Sequence, residues 1–275
     1  MEKIRGVVIV EELKPIVRLE HVGKTFKTKR QEICALEDIT FTVYEHDFVS
    51  IVGPSGCGKS TIIRLIDDII KPTSGDIYVE GYKYEKKVPK KVIRKMGFVF
   101  QRPNLLPWKT VRENIAFPQT ILGLKGKEWD LIVEELIKRG RLEEYANKRT
   151  SELSGGATQR VGVLRSMSTK PDILLMDEPY GALNERLREQ LDLETLEIWE
   201  KNRQTIIFIT HNVCEAVLLS NRILVMDTQP GRIISEVDID LPYPRTLDTM
   251  ITDKFIDYEN QVTNLIGNID LSTIK

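Results

Sequence analysis

GPSGCGKST, residues 53–61, is the stretch that decides how the rest of this chain is read. It fits G-x-x-x-x-G-K-[ST], follows the apolar run FVSIV (48–52) and leads into the helical pattern TIIRLIDDII (61–70). A buried strand before and a helix after are the setting that this pattern requires. Gly53, Gly56 and Gly58 let the backbone bend until several N–H groups converge at a helix N-terminus, where a phosphate is stabilised. Lys59 adds a positive charge for the β- and γ-phosphates of a nucleotide, and the Ser60 hydroxyl can ligate Mg. The candidate phosphate-binding segment is therefore Gly53, Pro54, Ser55, Gly56, Cys57, Gly58, Lys59, Ser60 and Thr61. Cys57 stands at a permissive position and reads as filler rather than as a nucleophile.

Further apolar runs lie downstream of this loop: GFVFQ (97–101), DILLM (172–176), TIIFIT (205–210) and RILVM (222–226). Such near-continuous hydrophobicity is what parallel strands covered on both faces require. IVRLEHV and DITFTVYE, upstream of the loop, alternate more and predict an antiparallel flank. Between residues 110 and 170 strand signals vanish, and TVRENIAFPQTILG, KEWDLIVEELIKRG and TQRVGVLRSMS carry apolar positions at helical spacing. After Pro230 and Gly231, GRIISEVDID reads as the second arm of a hairpin. Leu247, Ile251, Phe255, Val262 and Ile266 then predict an amphipathic C-terminal helix. The expected organisation is an N-terminal extension (1–15), an α/β core (16–101 and 171–228), a helical subdomain (102–170) and a C-terminal hairpin and helix (229–275).

The 275 residues are 41% hydrophobic and 29% charged, enough to bury a sizeable core. A net charge of -1 argues against nucleic acid as a bulk electrostatic partner. Three cysteines, Cys34, Cys57 and Cys214, show no metal or disulfide spacing, which suits a reducing cytosol. No run approaches the roughly 20 apolar residues of a membrane-spanning helix. GVVIV (6–10) is too short for a secretory core and is followed by Glu11 and Glu12. The expectation is a soluble protein that a partner must hold at any membrane it serves.

ILLMDEP (173–179) is four apolar residues followed by two carboxylates at a strand end. Ligands of open α/β sheets bind at the carboxyl ends of strands, which predicts Asp177 beside the phosphate loop. Asp177 would hold Mg and Glu178 would be the base that polarises an attacking water. LSGGATQR (153–160) offers a second anion site, with Ser154 as N-cap and Gly155 and Gly156 opening a helix.

LSGGATQR, placed about twenty residues before the Asp-Glu pair, looks like the signature motif of the ABC family, and the resemblance covers roughly residues 16–245. It implies a P-loop NTPase (RecA-like) core with an antiparallel β flank and a helical insert, working as an ATPase on Mg-ATP. Ser154, Gly155 and Gly156 would close over the γ-phosphate of ATP bound to a second ATPase subunit, in a head-to-tail homodimer. Gln101 resembles the glutamine that touches Mg and senses a membrane partner. His211 resembles the switch histidine at the γ-phosphate, while His21 and His46 read as structural or surface. Phe26 resembles the aromatic residue that stacks on adenine, and a Phe at a strand end is equally a core residue. Asn184, in GALN (181–184), occupies the position of the loop that reaches across the dimer.

NLLPW (104–108), EPYGALN and PGRIISEVDIDLPYPR are similar to the nitrate, sulfonate and taurine importer ATPases. That resemblance implies an integral-membrane permease as partner, an extracytoplasmic binding protein acting through it, and residence at the cytoplasmic face of the cell membrane. Trp108, Leu105 and Leu106 read either as a docking surface for the permease or as residues packed under their own loop. The solute would be a sulfonate, nitrate or a vitamin precursor. Asn184 and Asn212 stand where the family usually has Asp, and 157–158 read Ala-Thr where bulkier or polar residues are commoner. Asn keeps an acceptor oxygen but loses the charge. A competent but slower motor is expected, the alternative being an ATP-dependent sensor with weak hydrolysis and no transport role. Asp67 and Asp68, in the helix after the phosphate loop, require a local partner.

Overall fold

A computed structural model of the chain describes residues 14–27, 31–85, 88–181 and 183–272, so most of the expected N-terminal extension lies outside the described residues. The alternating segments form β1 (Pro15–Lys27) and β2 (Glu32–Tyr44), antiparallel from Pro15↔Tyr44 to Lys27↔Glu32. β3 (Phe48–Val52) is buried at every position and runs into the phosphate loop and α1 (Lys59–Ile66). β4 (Ser74–Val79) and β5 (Tyr82–Lys83) complete a four-stranded sheet in the order β2-β1-β4-β5. After the short α2 (Lys90–Ile93) comes β6 (Met96–Val99).

The stretch without strand signals is helical as its periodicity requires: α3 (Val111–Leu122), α4 (Lys127–Arg139) and α5 (Gly155–Met167). α3 opens on a capping box, in which Thr110 accepts from the Glu113 N–H and the Glu113 carboxylate accepts from the Thr110 N–H. It closes on Gly123 at φ 71, a left-handed position that glycine adopts without penalty. β7 (Ile173–Asp177), α6 (Glu185–Asn202), β8 (Thr205–Ile209), α7 (Val213–Leu219) and β9 (Arg222–Asp227) return to the α/β alternation. β10 (Arg232–Asp238) folds back antiparallel on β9, and α8 (Asp253–Ser272) follows.

The second sheet has the order β10-β9-β3-β8-β7-β6, with β9, β3, β8, β7 and β6 parallel. Parallel order brings the carboxyl ends of β3, β6, β7 and β8 to one edge, and every residue given a catalytic expectation lies just beyond one of those ends. One apolar layer packs the two sheets around α1, a second packs α3, α4 and α5 on the large sheet, and a third seats α7 and α8 on β9.

Two boundaries differ from the sequence expectation. β6 stops at Val99, because Phe100 turns outward and stacks against Phe98, the ring centroids 4.3 Å apart. The C-terminal helix begins at Asp253: Leu247 and Ile251 lie exposed in a 3-10 turn, and only Phe255 and Val262 of the predicted stripe are fully buried.

The acidic pair after α1 also divides. Asp68, at φ 59, pairs with Lys71, so its local partner exists. Asp67 makes no such pair; burial, aided by the neighbouring Asp68 charge, pushes its carboxyl up to about 7. A raised folded-state value means that the stability tied to this proton is complete below pH ~4 and is lost as pH rises through about 7. Asp67→Asn, which mimics the protonated form, is expected to stabilise the chain at pH 8 by on the order of 2–3 kcal/mol and to change little at pH 4. Urea unfolding at the two pH values measures it; equal shifts at both would exclude this origin.

Candidate active site

The phosphate loop is shaped by glycine conformations that no other residue adopts easily. Gly53 lies at φ 154 and Gly58 at φ 102, and a Cβ on Gly58 would stand 2.6 Å from Leu36 Cδ2. From outside, Gly231 closes on the loop so tightly that a Cβ there would fall 2.0 Å from the Cys57 carbonyl oxygen. Gly231 is also bonded to β2, donating to Ala35 O and accepting from Glu37 N. Cys57 itself is buried and burial pushes its thiol up, which supports its reading as filler. The Lys59 side chain, only 6% exposed, crosses the loop and donates from Nζ to the carbonyls of Gly53 (2.8 Å) and Pro54 (2.9 Å).

Ser60 Oγ donates to Asp177 Oδ1 at 2.7 Å, so two of the three residues expected at Mg meet although they are far apart in sequence. Burial raises the Asp177 carboxyl, and the Ser60 hydroxyl partly offsets this. Hard oxygen donors of this kind suit Mg, which takes one or two protein oxygens and completes its shell with phosphate and water. Among the described residues no cluster of three or more His, Cys, Asp or Glu could hold a metal ion.

Gln101, the third residue expected at Mg, lies against the catalytic candidate Glu178. Its Nε2 donates to Glu178 Oε2 at 3.1 Å. His211 Nδ1 lies 3.5 Å from the same oxygen, and the Glu178 N–H is fixed on Ile209 O at 3.0 Å. Glu178 itself sits at φ 44, a left-handed conformation that a glutamate holds only where its surroundings impose it. Residues from the ends of β6, β7 and β8 thus converge on one carboxylate.

Ser154 caps α5, its Oγ accepting from the Ala157 N–H at 3.3 Å. A Cβ on Gly156 would strike Leu187 Cδ2 at 2.3 Å, whereas one on Gly155 would meet open space. Asn184 and Asn212 are both N-caps, of α6 and α7, accepting from the N–H groups of Leu187 (3.0 Å) and Glu215 (3.2 Å). Asn and Asp cap helices about equally well, so both departures keep this local role. Phe26 ends β1 with its ring exposed and the Lys24 ammonium 5.1 Å from its centroid. His21 and His46 are indeed remote, bonded to Asp38 and to the Arg203 carbonyl.

Several residues here carry no signal of their own in the sequence. Gln159, buried on α5, donates to the Pro179 carbonyl and so joins the signature helix to the end of β7. Arg165 donates to Pro103 O and Asn104 O, and the buried Asn114 accepts from Leu106 N at 2.8 Å, together holding the loop after Gln101. Beside that loop lies an apolar groove of about 440 Å³ bounded by Phe98, Phe100, Leu106, Phe117 and Ile121. Leu105 packs inward, while Trp108 projects from the loop, 66% exposed. A second cavity of about 450 Å³, bordered by His46, Arg139, Lys170 and Arg203, lies at the amino ends of the strands and contains none of the site residues.

A family model described as ABC transporter matches residues 36–181. The chain is 37% identical over 275 residues, the whole of both proteins, to an uncharacterized ABC transporter ATP-binding protein of Methanocaldococcus jannaschii. It is 40% identical over 230 residues to the aliphatic sulfonates import ATP-binding protein SsuB of Bacillus cereus, covering 84% of this chain and 88% of that one. A dimeric ATP-binding cassette solved in a post-hydrolysis state with ADP and Pi superposes with a TM-score of 0.74 at 32% identity, over 82% of this chain and all of that one. No helix among the described residues is long and apolar enough to cross a membrane. By its motifs, its fold and these relatives, the chain belongs to the ABC transporter family, as an ATP-binding subunit with ATPase activity.

Proposed function

We propose that this chain is the motor subunit of an importer for a small solute such as a sulfonate, nitrate or a vitamin precursor. It works at the cytoplasmic face of the cell membrane, bound to an integral-membrane permease that an extracytoplasmic binding protein supplies. The observation that carries the reading is the meeting of Gln101, Glu178 and His211 at the same sheet edge as the Ser60–Asp177 pair. Identity to a sulfonate-import subunit supports the direction and class of transport.

In this reading the loop N–H groups and Lys59 hold the β- and γ-phosphates, and Phe26 stacks on the adenine. Bound Mg, held by Ser60 and Asp177, supplies charge neutralisation on the phosphate oxygens. Glu178 accepts the proton of the water that attacks the γ-phosphate; Gln101 and His211 hold that carboxylate, and Gln101 would also touch the Mg while His211 contacts the phosphate. Ser154 and Gly155, at the N-terminus of α5, bind the γ-phosphate on a second copy in a head-to-tail dimer. Two nucleotides shared in this way must supply about 5.5 kcal/mol of differential affinity to move a dimer from 1:99 open to 99:1 closed. That is under about 3 kcal/mol each, within reach of charge-assisted hydrogen bonds. Hydrolysis removes the contact and reopens the pair.

The groove beside Leu106, together with the exposed Trp108 of the same loop, receives the permease, so motion at Gln101 is transmitted where its loop begins. Because Asn184 remains a competent cap, Asn184→Asp should leave turnover equal or raise it in a steady-state phosphate-release assay, and a clear drop would count against a slowed motor. Purification from native cells in mild detergent tests the whole reading. A multi-spanning membrane protein at comparable yield is expected; a soluble partner and no membrane protein at any detergent strength would leave only the ATPase.

A further inference from the structure

α7 is seven residues long, and a helix that short leaves most of its carboxyl-terminal carbonyls without partners in the helix. The C-terminal extension takes them up. Arg245 Nη1 donates to the carbonyls of Val217 (2.9 Å), Leu218 (3.0 Å) and Ser220 (2.8 Å), and the Tyr243 hydroxyl donates to Leu219 O (3.2 Å). Arg245 Nη2 and Nε turn back to the extension's own carbonyl at Leu241 (3.1 and 3.4 Å). The side chain is 3% exposed, and its guanidinium carbon stands 4.1 Å from the Tyr243 ring centroid. Among the described residues it makes no salt bridge, although the Glu200 carboxylate is close enough to act on its charge. A buried cation with no carboxylate in contact is unfavourable unless aligned dipoles also hold it, and the negative end of a helix is such a place.

The other end of α7 is clamped as firmly. The Asn212 side chain caps it, the Asn212 N–H donates to Thr210 Oγ1 (2.9 Å), and the Thr210 hydroxyl donates to the Glu215 carboxylate inside the helix. His211 lies between Thr210 and Asn212, in the turn that these bonds close. One short rigid rod therefore has His211 at its start and Arg245 at its end.

We propose that Arg245 is a positioning residue: by capping the carboxyl end of α7 it fixes the helix along its axis, and with it the place of His211 beside Glu178. This rests on the reading of His211 as a participant in hydrolysis. The C-terminal extension is then part of the catalytic apparatus and not only a cover for the third apolar layer.

A mutant cycle on the full-length chain tests it, measuring steady-state ATP hydrolysis. Arg245→Gln should lower kcat about tenfold with KM for ATP changed less than twofold, since neither Arg245 nor α7 bonds to the phosphate loop. Arg245→Lys, which keeps the charge but lacks the Nη2 and Nε donors that hold Leu241 O, should fall between. In a His211→Ala background Arg245→Gln should lower kcat by less than twofold, because its effect passes through a residue already removed. Tyr243→Phe, which deletes a single hydroxyl, gives a milder loss in the same direction and serves if Arg245→Gln does not fold. Unchanged kcat in both folded variants, or a full further loss on top of His211→Ala, overturns the proposal. If His211→Ala alone leaves kcat unchanged, it is the reading of His211 that fails.

Discussion

Glu178→Gln should reduce ATP turnover by about 10²–10⁴-fold, the range that a positioned general base contributes. The amide keeps the size of the carboxylate and can still accept from Gln101 Nε2, so the hydrogen-bonded frame around it survives. It cannot take a proton from water. ATP affinity should stay within about threefold, because the proposed phosphate contacts are those of the loop and Lys59. ATP binding without hydrolysis should then accumulate the closed dimer, visible as a doubled mass on size exclusion with ATP and absent with ADP. A variant whose kcat stays within tenfold of the parent would show that another group accepts the proton.

Lys59→Met is the second large effect, and it falls on binding. Lys59 Nζ is held on two loop carbonyls, at the point where the proposed reading puts the phosphates. Two hydrogen bonds to an anion, each worth about 1.5–3 kcal/mol, correspond to at least a hundredfold rise in the ATP dissociation constant. Methionine preserves the apolar stem in this buried position, so the fold should hold. Isothermal titration separates the cases: a Kd within fivefold of the parent would mean that backbone N–H groups alone secure the nucleotide. Together the two variants should divide the site, Lys59 governing affinity and Glu178 the rate.

What could be read from the sequence follows from how local its causes are. The phosphate loop was legible because its glycines are forced by backbone angles within nine residues, at Gly53 and Gly58 above all. Parallel strands were legible because burial on both faces leaves few polar positions, Ser50 and Thr205 among them. The meeting of Ser60 with Asp177 followed from the strand-end rule rather than from any local pattern. The caps at Asn184 and Asn212 looked like losses of charge because the sequence shows only which residue is replaced, not which N–H it accepts from. Gln159 and Arg245 were invisible for a different reason. Each is a polar residue whose partners are backbone carbonyls distant in sequence, and carbonyls have no residue type to recognise. The C-terminal helix was drawn nearly two turns too early because Leu247 and Ile251 keep helical spacing while lying in an exposed 3-10 turn.

The place of β3 between β8 and β9 bears on how the chain comes to be made. Its two neighbours in the sheet begin at Thr205 and Arg222, and the glycine that closes over Cys57 is residue 231, so the segment around the phosphate loop is completed by contacts from the last third of the polypeptide. Contacts of such long sequence separation form slowly, since a large loop must be closed before they are rewarded. On the ribosome the buried strand before the phosphate loop therefore waits for β8 and β9, and the loop itself for Gly231. The nucleotide site is thus completed only by segments translated well after its motif.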